Sequence, residues 1–338
     1  MICYSIFRNS YEKNNNFVMF FFKIYAFASV NIISWWGYID YELISQLSLE
    51  CKSKISYDEY YSIKDFLRRY KKHNYSIIIF PAQIYNLISQ EINDKGINLN
   101  DIRNEYHPEI LNLFNRQVYT KNVAIYSLGI TGFIYNPLHI HIDRNDEVKN
   151  IFQNAKDKKI AVIDDPIESL HLISQSTENG NDFEVEKNFN NLIKGTKYLI
   201  TNDTIKIVKD KNFAFAYSWV GTSLKRMSEN PHLKFTSIPK LSYISADFIA
   251  TLDKNKDTEC VAKKLASKEF LDPVLTRTFY FSPYGIPEKI QDKKYLSEYE
   301  DFIDNHHLLK WLPVLKKEDY QKKINLWEKI KIDMSNKI

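Results

Sequence analysis

Glycine is scarce in this chain, at only 8 of 338 residues. The glycine-rich signatures of nucleotide-binding proteins, G-x-G-x-x-G and the P-loop, are both missing, which argues against a phosphate cradle. The nucleophile motif G-x-S-x-G and the zinc motif H-E-x-x-H are missing too. The sequence therefore gives no support for a nucleotide-binding protein, an α/β-hydrolase or a zinc protease.

An excess of one charge is lacking as well. The chain has 46 basic and 42 acidic residues, for a formal charge of +4, and no block of like charge. This balance excludes a nucleic-acid-binding arm of the usual basic kind.

Cysteine is rare, with Cys3, Cys51 and Cys260 alone. No pair of them has the spacing of a metal or redox motif. We expect Cys51 and Cys260 to be buried thiols, and the count neither requires nor excludes an oxidising compartment.

Long apolar runs are limited to "FVMFFFKIYAFA" near the N-terminus, which Lys23 interrupts. The run is too short to span a membrane as a helix. It follows a polar segment with two basic residues and ends in Ala26-Phe27-Ala28, the small-x-small form of a signal-peptidase site. We predict that residues 1–28 are a signal peptide and that the mature protein is periplasmic, with 43 basic against 41 acidic residues.

The remaining sequence alternates predicted strands and helices. Apolar strand-like runs such as "VNIISW", "YSIIIFP", "KKIAVID" and "NFAFAYSW" are each followed by a segment of helical periodicity. We also predict one helix over "YDEYYSIKDFLRRYKK" and two short strands around Gly129. The alternation indicates an α/β protein with mainly parallel sheets, which bind ligands beyond the carboxyl ends of their strands.

Aromatic residues stand at two of these strand ends. The stretch "SWWGYID" closes the first strand, and Trp219 closes "AFAYSW". Aromatic faces attract cations and cover hydrocarbon chains. Trp35 and Tyr38 are therefore candidates for ligand binding, whereas for Trp36 we favour packing in the core or hinge.

Carboxylates occupy related positions. In "AVIDDPIESL", Asp165 can cap a helix that opens with Pro166 and has Glu168 at its third position. Both carboxylates also lie at a strand end, where they could bind a cation. Asp247 lies inside the apolar strand "SYISADFIATL", where it requires either a cluster of hydrogen-bond donors or a bound cation.

Other polar clusters carry less chemistry. "HIHID" places His139, His141 and Asp143 on one face of an extended segment, but we favour a polar surface loop over a metal site. No Cys-His or Ser-His pair stands out. We assign no catalytic residue, metal or cofactor, although a hydrolase using the carboxylates as acid and base stays an alternative.

The order of these motifs resembles that of the periplasmic polyamine-binding proteins of ABC importers, the spermidine and putrescine receptors. The resemblance runs from about Val30 to the C-terminal helix, through the motifs "IISWWGYID", "YSIIIFPAQIY", "AVIDDPIESL", "AFAYSWVG", "FTSIPK", "SADFIA" and "FYFSPYG". It implies a two-lobed type II solute-binding fold with the ligand cleft between the lobes. The first lobe would comprise 29–123 and 248–285, and the second 124–247 and 286–338 with the C-terminal helices.

The resemblance also implies roles for individual residues. Trp35 and Tyr38 match aromatics that sandwich the ligand, and Trp219 matches a stacking tryptophan. Asp165, Glu168 and Asp247 match carboxylates that take ammonium groups. The late tyrosine, Tyr280, is supplied by the resemblance alone. The chain departs from the family pattern at four positions, which are Gly37, Ile84, Ser245 and Thr222.

The implied function is capture of a polyamine, spermidine or putrescine, for an ABC permease in the inner membrane, by a monomer that is not an enzyme. Alternatives are a polyamine-sensing receptor without transport, and a receptor for another small cation or for ferric iron.

Overall fold

The computed structural model describes residues 29–117, 119–176 and 182–335. The predicted signal peptide, residues 1–28, lies outside the described residues. None of the helices in the described ranges combines the length and the apolar character needed to cross a membrane.

The described chain alternates strands and helices. The strands are Ser29–Trp35 (β1), Lys54–Tyr60 (β2), Ile77–Pro81 (β3), Val123–Tyr135 (β4), Lys159–Val162 (β5), Lys197–Ile200 (β6), Phe213–Trp219 (β7), Lys234–Thr236 (β8), Tyr243–Thr251 (β9) and Lys310–Trp311 (β10). The helices are Tyr41–Glu50 (α1), Ile63–Lys72 (α2), Tyr85–Lys95 (α3), Asn100–Arg103 (α4), Pro108–Asn115 (α5), Val148–Asn154 (α6), Pro166–Ser174 (α7), Asp182–Ile193 (α8), Ile205–Val208 (α9), Val220–Glu229 (α10), Lys256–Ala266 (α11), Lys268–Thr278 (α12), Lys293–Asn305 (α13) and Lys317–Ser335 (α14).

The strands follow one another in the order β2-β1-β3-β9-β4-β7-β5-β6. β1 runs parallel to β2 and β3, and β5 runs parallel to β6 and β7. The long strands β4 and β9 run antiparallel to their neighbours in this order, whereas the short strand β10 runs parallel to β9. The predicted α/β class with parallel strands is confirmed for each half of this arrangement, and two antiparallel strands join the halves.

β4 belongs to both halves. Its first part, to Ile130, pairs with β9, and its last part, from Thr131, pairs with β7. The buried side chains likewise form two clusters, one around Ile32, Ile78 and Phe248 and one around Val162 and Phe215. We call β1, β2, β3, β9 and the start of β4 the first half-sheet, and β5, β6, β7 and the end of β4 the second.

Two secondary-structure predictions were wrong in detail. Residues 57–60 extend β2 and precede α2, because they continue its parallel pairing with β1, from Tyr57 opposite Ile32 to Tyr60 opposite Trp35. β4 is one continuous strand through Gly129, since both of its parts pair with neighbours without a break at that glycine.

The prediction of free thiols was also wrong. Cys51, at the end of α1, forms a disulfide with Cys260 on α11 across 209 residues of sequence. Sequence spacing carries no information on such a distant pair, which only the packing of α1 against α11 brings together.

The C-terminal helices pack on different parts of the molecule. Trp327 of α14 lies in the second cluster, and α14 contacts α7. On α13, Tyr299 and Phe302 pack instead on Phe281, in the first cluster. The predicted lobe boundaries stay a prediction.

Candidate functional site

Asp247 lies in the middle of β9, opposite Pro81 of β3 and Ser127 of β4. Its carboxylate accepts a hydrogen bond from Trp35 Nε1 at 2.9 Å, one from Ser127 Oγ at 3.0 Å, and a short one from the Tyr38 hydroxyl. Burial raises the pKa of Asp247, and the three donors oppose that rise. Of the two possibilities that the sequence left open, the structure provides the cluster of donors.

The aromatic residues at the end of β1 and in the following turn hydrogen-bond Asp247. The Trp35 ring lies 4.5 Å from that of Tyr60, and the Tyr38 ring stacks on Tyr126 at 5.6 Å. Burial and then the charge of Asp247 raise the pKa of Tyr38 well above its ordinary value, so its phenol stays a donor. Trp36, which we expected to be packed, is 62% exposed, because β1 ends at Trp35 and the following turn faces solvent.

Asp165 serves two purposes, since it caps α7 and joins the two halves. Its Oδ1 accepts from the backbone amides of Ile167 at 2.8 Å and Glu168 at 2.9 Å. Its Oδ2 accepts from Gln83 Nε2 at 2.8 Å. Gln83 follows β3 of the first half-sheet, whereas Asp165 follows β5 of the second. The predicted cap is confirmed, and the same carboxylate links the half-sheets at their strand ends.

Glu168 is almost fully buried, at 1% exposure, on the first turn of α7. Trp219, at the end of β7, is a nearby donor that lowers the pKa of Glu168, while Oε2 has no hydrogen-bond partner within the described residues. Burial and then the charge of Asp165 raise the pKa of Glu168 well above its ordinary value. A buried acceptor without a donor lowers the free energy of unfolding by about 1–3 kcal/mol, so a hydrogen-bond donor at this oxygen would stabilise the protein.

Tyr280 lies between two glycines. A Cβ added to Gly221 would meet Tyr280 Cγ and Cδ2 at 2.7 Å, and one added to Gly129 would meet Tyr280 Cδ1 at 3.2 Å. Thr222 is a nearby donor that lowers the pKa of Tyr280, and the tyrosine ring stands edge-on to Tyr38 at 6.2 Å. Burial raises the pKa of Tyr280 most, and the charges of Asp247 and Glu168 add to the rise. Tyr280 thus lies within electrostatic reach of carboxylates from both halves.

All seven predicted site residues therefore meet in one region. In the described parts of the chain, no lysine or arginine forms an ion pair with Asp165, Glu168 or Asp247. Asp164, beside Asp165, turns away and pairs with Trp327 and Lys331. The region thus contains three buried carboxyl groups that no basic side chain of the described residues neutralises.

Sequence reasoning missed two polar members of the region, Gln83 and Ser127. Gln83 had a usable signal, because it stands two residues beyond the end of β3, a position that belongs to the ligand edge of such a sheet. Ser127 had none, since it lies within an apolar strand at a small shift in the pairing of β4 with β9.

The other polar groups lie apart from this region. His139 Nε2 contacts the backbone oxygen of Lys211 at 2.7 Å, and His141 lies 3.1 Å from Asp143 on the exposed surface. Over the described ranges, no three His, Cys, Asp or Glu side chains are grouped so as to hold a metal ion. A cavity of about 250 Å³ lies beside α13, lined by Arg144, Glu298 and Asp301 among others.

Comparison with solved structures shows the fold. The chain is similar to the spermidine/putrescine ABC transporter substrate-binding protein of Streptococcus pneumoniae, with a TM-score of 0.69 and 18% identity over 90% of this chain and 98% of that one. It is also similar to a Listeria monocytogenes protein described as a spermidine/putrescine ABC transporter, with a TM-score of 0.71 and 17% identity over 90% and 98% of the two chains.

An iron-bound protein from Pseudomonas aeruginosa matches with a TM-score of 0.62 and 11% identity over 89% of this chain and 99% of that one. No protein-family model matches the sequence, and no curated protein matches it either. The chain therefore has the two-lobed type II fold of periplasmic solute-binding proteins.

Proposed function

We propose that this protein is an extracytoplasmic solute-binding protein that captures an organic amine of the polyamine type, putrescine or spermidine, for an ABC permease. The fold supports the general class, because its solved neighbours include substrate-binding components of transporters. The ligand class rests on one observation. Glu168 is buried, lacks a basic partner among the described residues, and has one carboxylate oxygen with no hydrogen-bond donor.

An ammonium group is the ligand that fits such an oxygen. A primary ammonium brings three N–H donors and a positive charge, which relieves both the missing hydrogen bond and the repulsion from Asp165. Gln83 Oε1, across from Asp165, is a second buried acceptor without a partner among the described residues. An amide oxygen and an ionised carboxylate oxygen can only accept, and a donor-rich ligand completes both.

The rings of the region suit the hydrocarbon part of an amine. Trp219 lowers the pKa of Glu168, and the charge of Glu168 raises the pKa of Tyr280. Both rings are therefore placed beside the proposed ammonium. Ferric iron is supported less well. Burial raises the pKa of both Tyr38 and Tyr280, which disfavours the phenolates that bind iron.

The disulfide supports export. Disulfides persist in oxidising compartments and are rare in the cytosol of most cells. The Cys51–Cys260 bond thus agrees with the predicted signal peptide over residues 1–28 and with a periplasmic location. In this proposal the working form is a monomer that contacts the permease and carries out no chemical reaction.

Calorimetric titration of putrescine and spermidine into the mature chain tests the proposal. We expect saturable binding in wild type and a loss of at least about a hundredfold in Glu168→Gln, because the substitution keeps the shape and removes the charge. Glu298→Gln is the matched control, since Glu298 lines the separate cavity beside α13. Absence of binding to both amines at millimolar concentration would refute the ligand assignment.

A further inference from the structure

Two of the three carboxylates of the site, Asp247 and Glu168, differ in how far the protein itself satisfies them. Asp247 has donors on both oxygens: Oδ1 accepts from Trp35, and Oδ2 accepts from Tyr38 and Ser127. All three donors are neutral and belong to the first half-sheet or to the turn that follows β1. A carboxylate offers about four acceptor positions, so Asp247 has little capacity left.

Among the described residues, the groups that interact electrostatically with Glu168 bring it no positive charge. From α7 itself comes Asp165, from β7 come Trp219 and Tyr217, from β9 comes Tyr243, and from the segment after α12 comes Tyr280. Trp219 is the one nearby donor that lowers the pKa of this carboxyl among the described residues, and Oε2 has no hydrogen-bond partner there.

The unmatched carboxylate and amide oxygens of the site lie at one end of it. Glu168 Oε2 and Gln83 Oε1 are both buried and have no partner among the described residues, and both residues adjoin Asp165. At the other end, the carboxylate of Asp247 holds Trp35 and Tyr38 by hydrogen bonds.

We propose that the site recognises a single ammonium group, at Glu168, and that its ligand class is short aliphatic amines with one required cation. This inference rests on the proposed function and refines it. A second nitrogen on the ligand finds no unmatched carboxylate, so a diamine gains little over a monoamine of equal length.

Three ligands of matched length test this inference by calorimetry with the mature chain: putrescine, 4-amino-1-butanol and 1,4-butanediol. They carry two, one and no ammonium groups on the same four-carbon chain. We expect putrescine and 4-amino-1-butanol to bind with affinities within about tenfold of each other, and the diol not to bind. Glu168→Gln should weaken both amines by a similar factor of at least about a hundred, and Glu298→Gln should weaken neither.

The results separate failure of this inference from failure of the proposed function. An advantage of putrescine over the amino alcohol of more than about tenfold would show that a second carboxylate binds an ammonium, and would overturn the inference alone. Unchanged affinity of the amino alcohol in Glu168→Gln would overturn it as well. If neither amine binds folded wild-type protein, the proposed function fails and the inference falls with it.

Discussion

The close packing of the Tyr280 ring between Gly129 and Gly221 yields a prediction that needs no ligand. Gly221 is the second residue of α10, and a Cβ there would lie 2.7 Å from two ring atoms of Tyr280, against an ordinary contact of 3.4–4 Å. Overpacking of this kind costs about 1–3 kcal/mol. Alanine is favoured over glycine inside helices by up to about 1 kcal/mol, which offsets part of the cost.

We therefore expect Gly221→Ala to lower the free energy of unfolding by about 1–2 kcal/mol when Tyr280 is present. In a Tyr280→Ala background the ring is gone, and the same substitution should be neutral or stabilising. The coupling energy of the double-mutant cycle should then be about 1–3 kcal/mol. Gly129→Ala is a graded comparison, because its Cβ would approach Tyr280 no closer than 3.2 Å and should cost less.

Urea unfolding of the four proteins of the cycle, followed by far-UV circular dichroism, measures these quantities. Equal m-values are required, because a changed slope would mean that the unfolded or folded state differs in exposed surface. The claim that the Tyr280 ring leaves no room for a Cβ at these glycines would be refuted by either of two results. One is a neutral or stabilising Gly221→Ala in the presence of Tyr280, and the other is an equal cost in both backgrounds.

Three further predictions concern charge, the disulfide and the donors of Asp247. Because folding raises the pKa of Glu168, the contribution of this carboxyl to the free energy of unfolding is complete below its unfolded pKa and is lost as pH rises toward the folded pKa. Glu168→Gln should therefore gain stability relative to wild type as the pH rises from 5 to 8. A difference in urea midpoint that stays constant over this range would contradict the prediction. Reduction of the disulfide should cost about 2–5 kcal/mol and lower the melting temperature, with a Cys51→Ser/Cys260→Ser variant insensitive to reductant as the control. Trp35→Phe leaves Asp247 Oδ1 without its donor and should destabilise the fold by about 1–3 kcal/mol in urea unfolding, whereas exposed Trp36→Phe should change it by less than about 0.5 kcal/mol.

Local sequence patterns were sufficient for the strand ends and for one cap. Asp165, Pro166 and Glu168 encode the start of α7 within four residues, and the structure has that start. The apolar runs before Trp35 and Trp219 likewise predicted where β1 and β7 end. Such features depend on neighbours in sequence, so a single sequence carries them.

Features that depend on distant contacts could not be predicted in the same way. The donors that Asp247 requires include Trp35 and Tyr38, which lie 212 and 209 residues away in the chain. The bond from Gln83 to Asp165 spans 82 residues. The role of Gly221 depends on a tyrosine ring 59 positions later, whose approach no local pattern records.

The cross-link between α1 and α11 has a topological consequence. The chain leaves the first half-sheet along β4 and returns to it along β9, and the bonded cysteines lie on either side of that excursion. The whole second half-sheet is thus part of a covalently closed ring. A protease that cuts once in an exposed loop of that half would leave two fragments still bound to each other until the sulfur bridge is reduced.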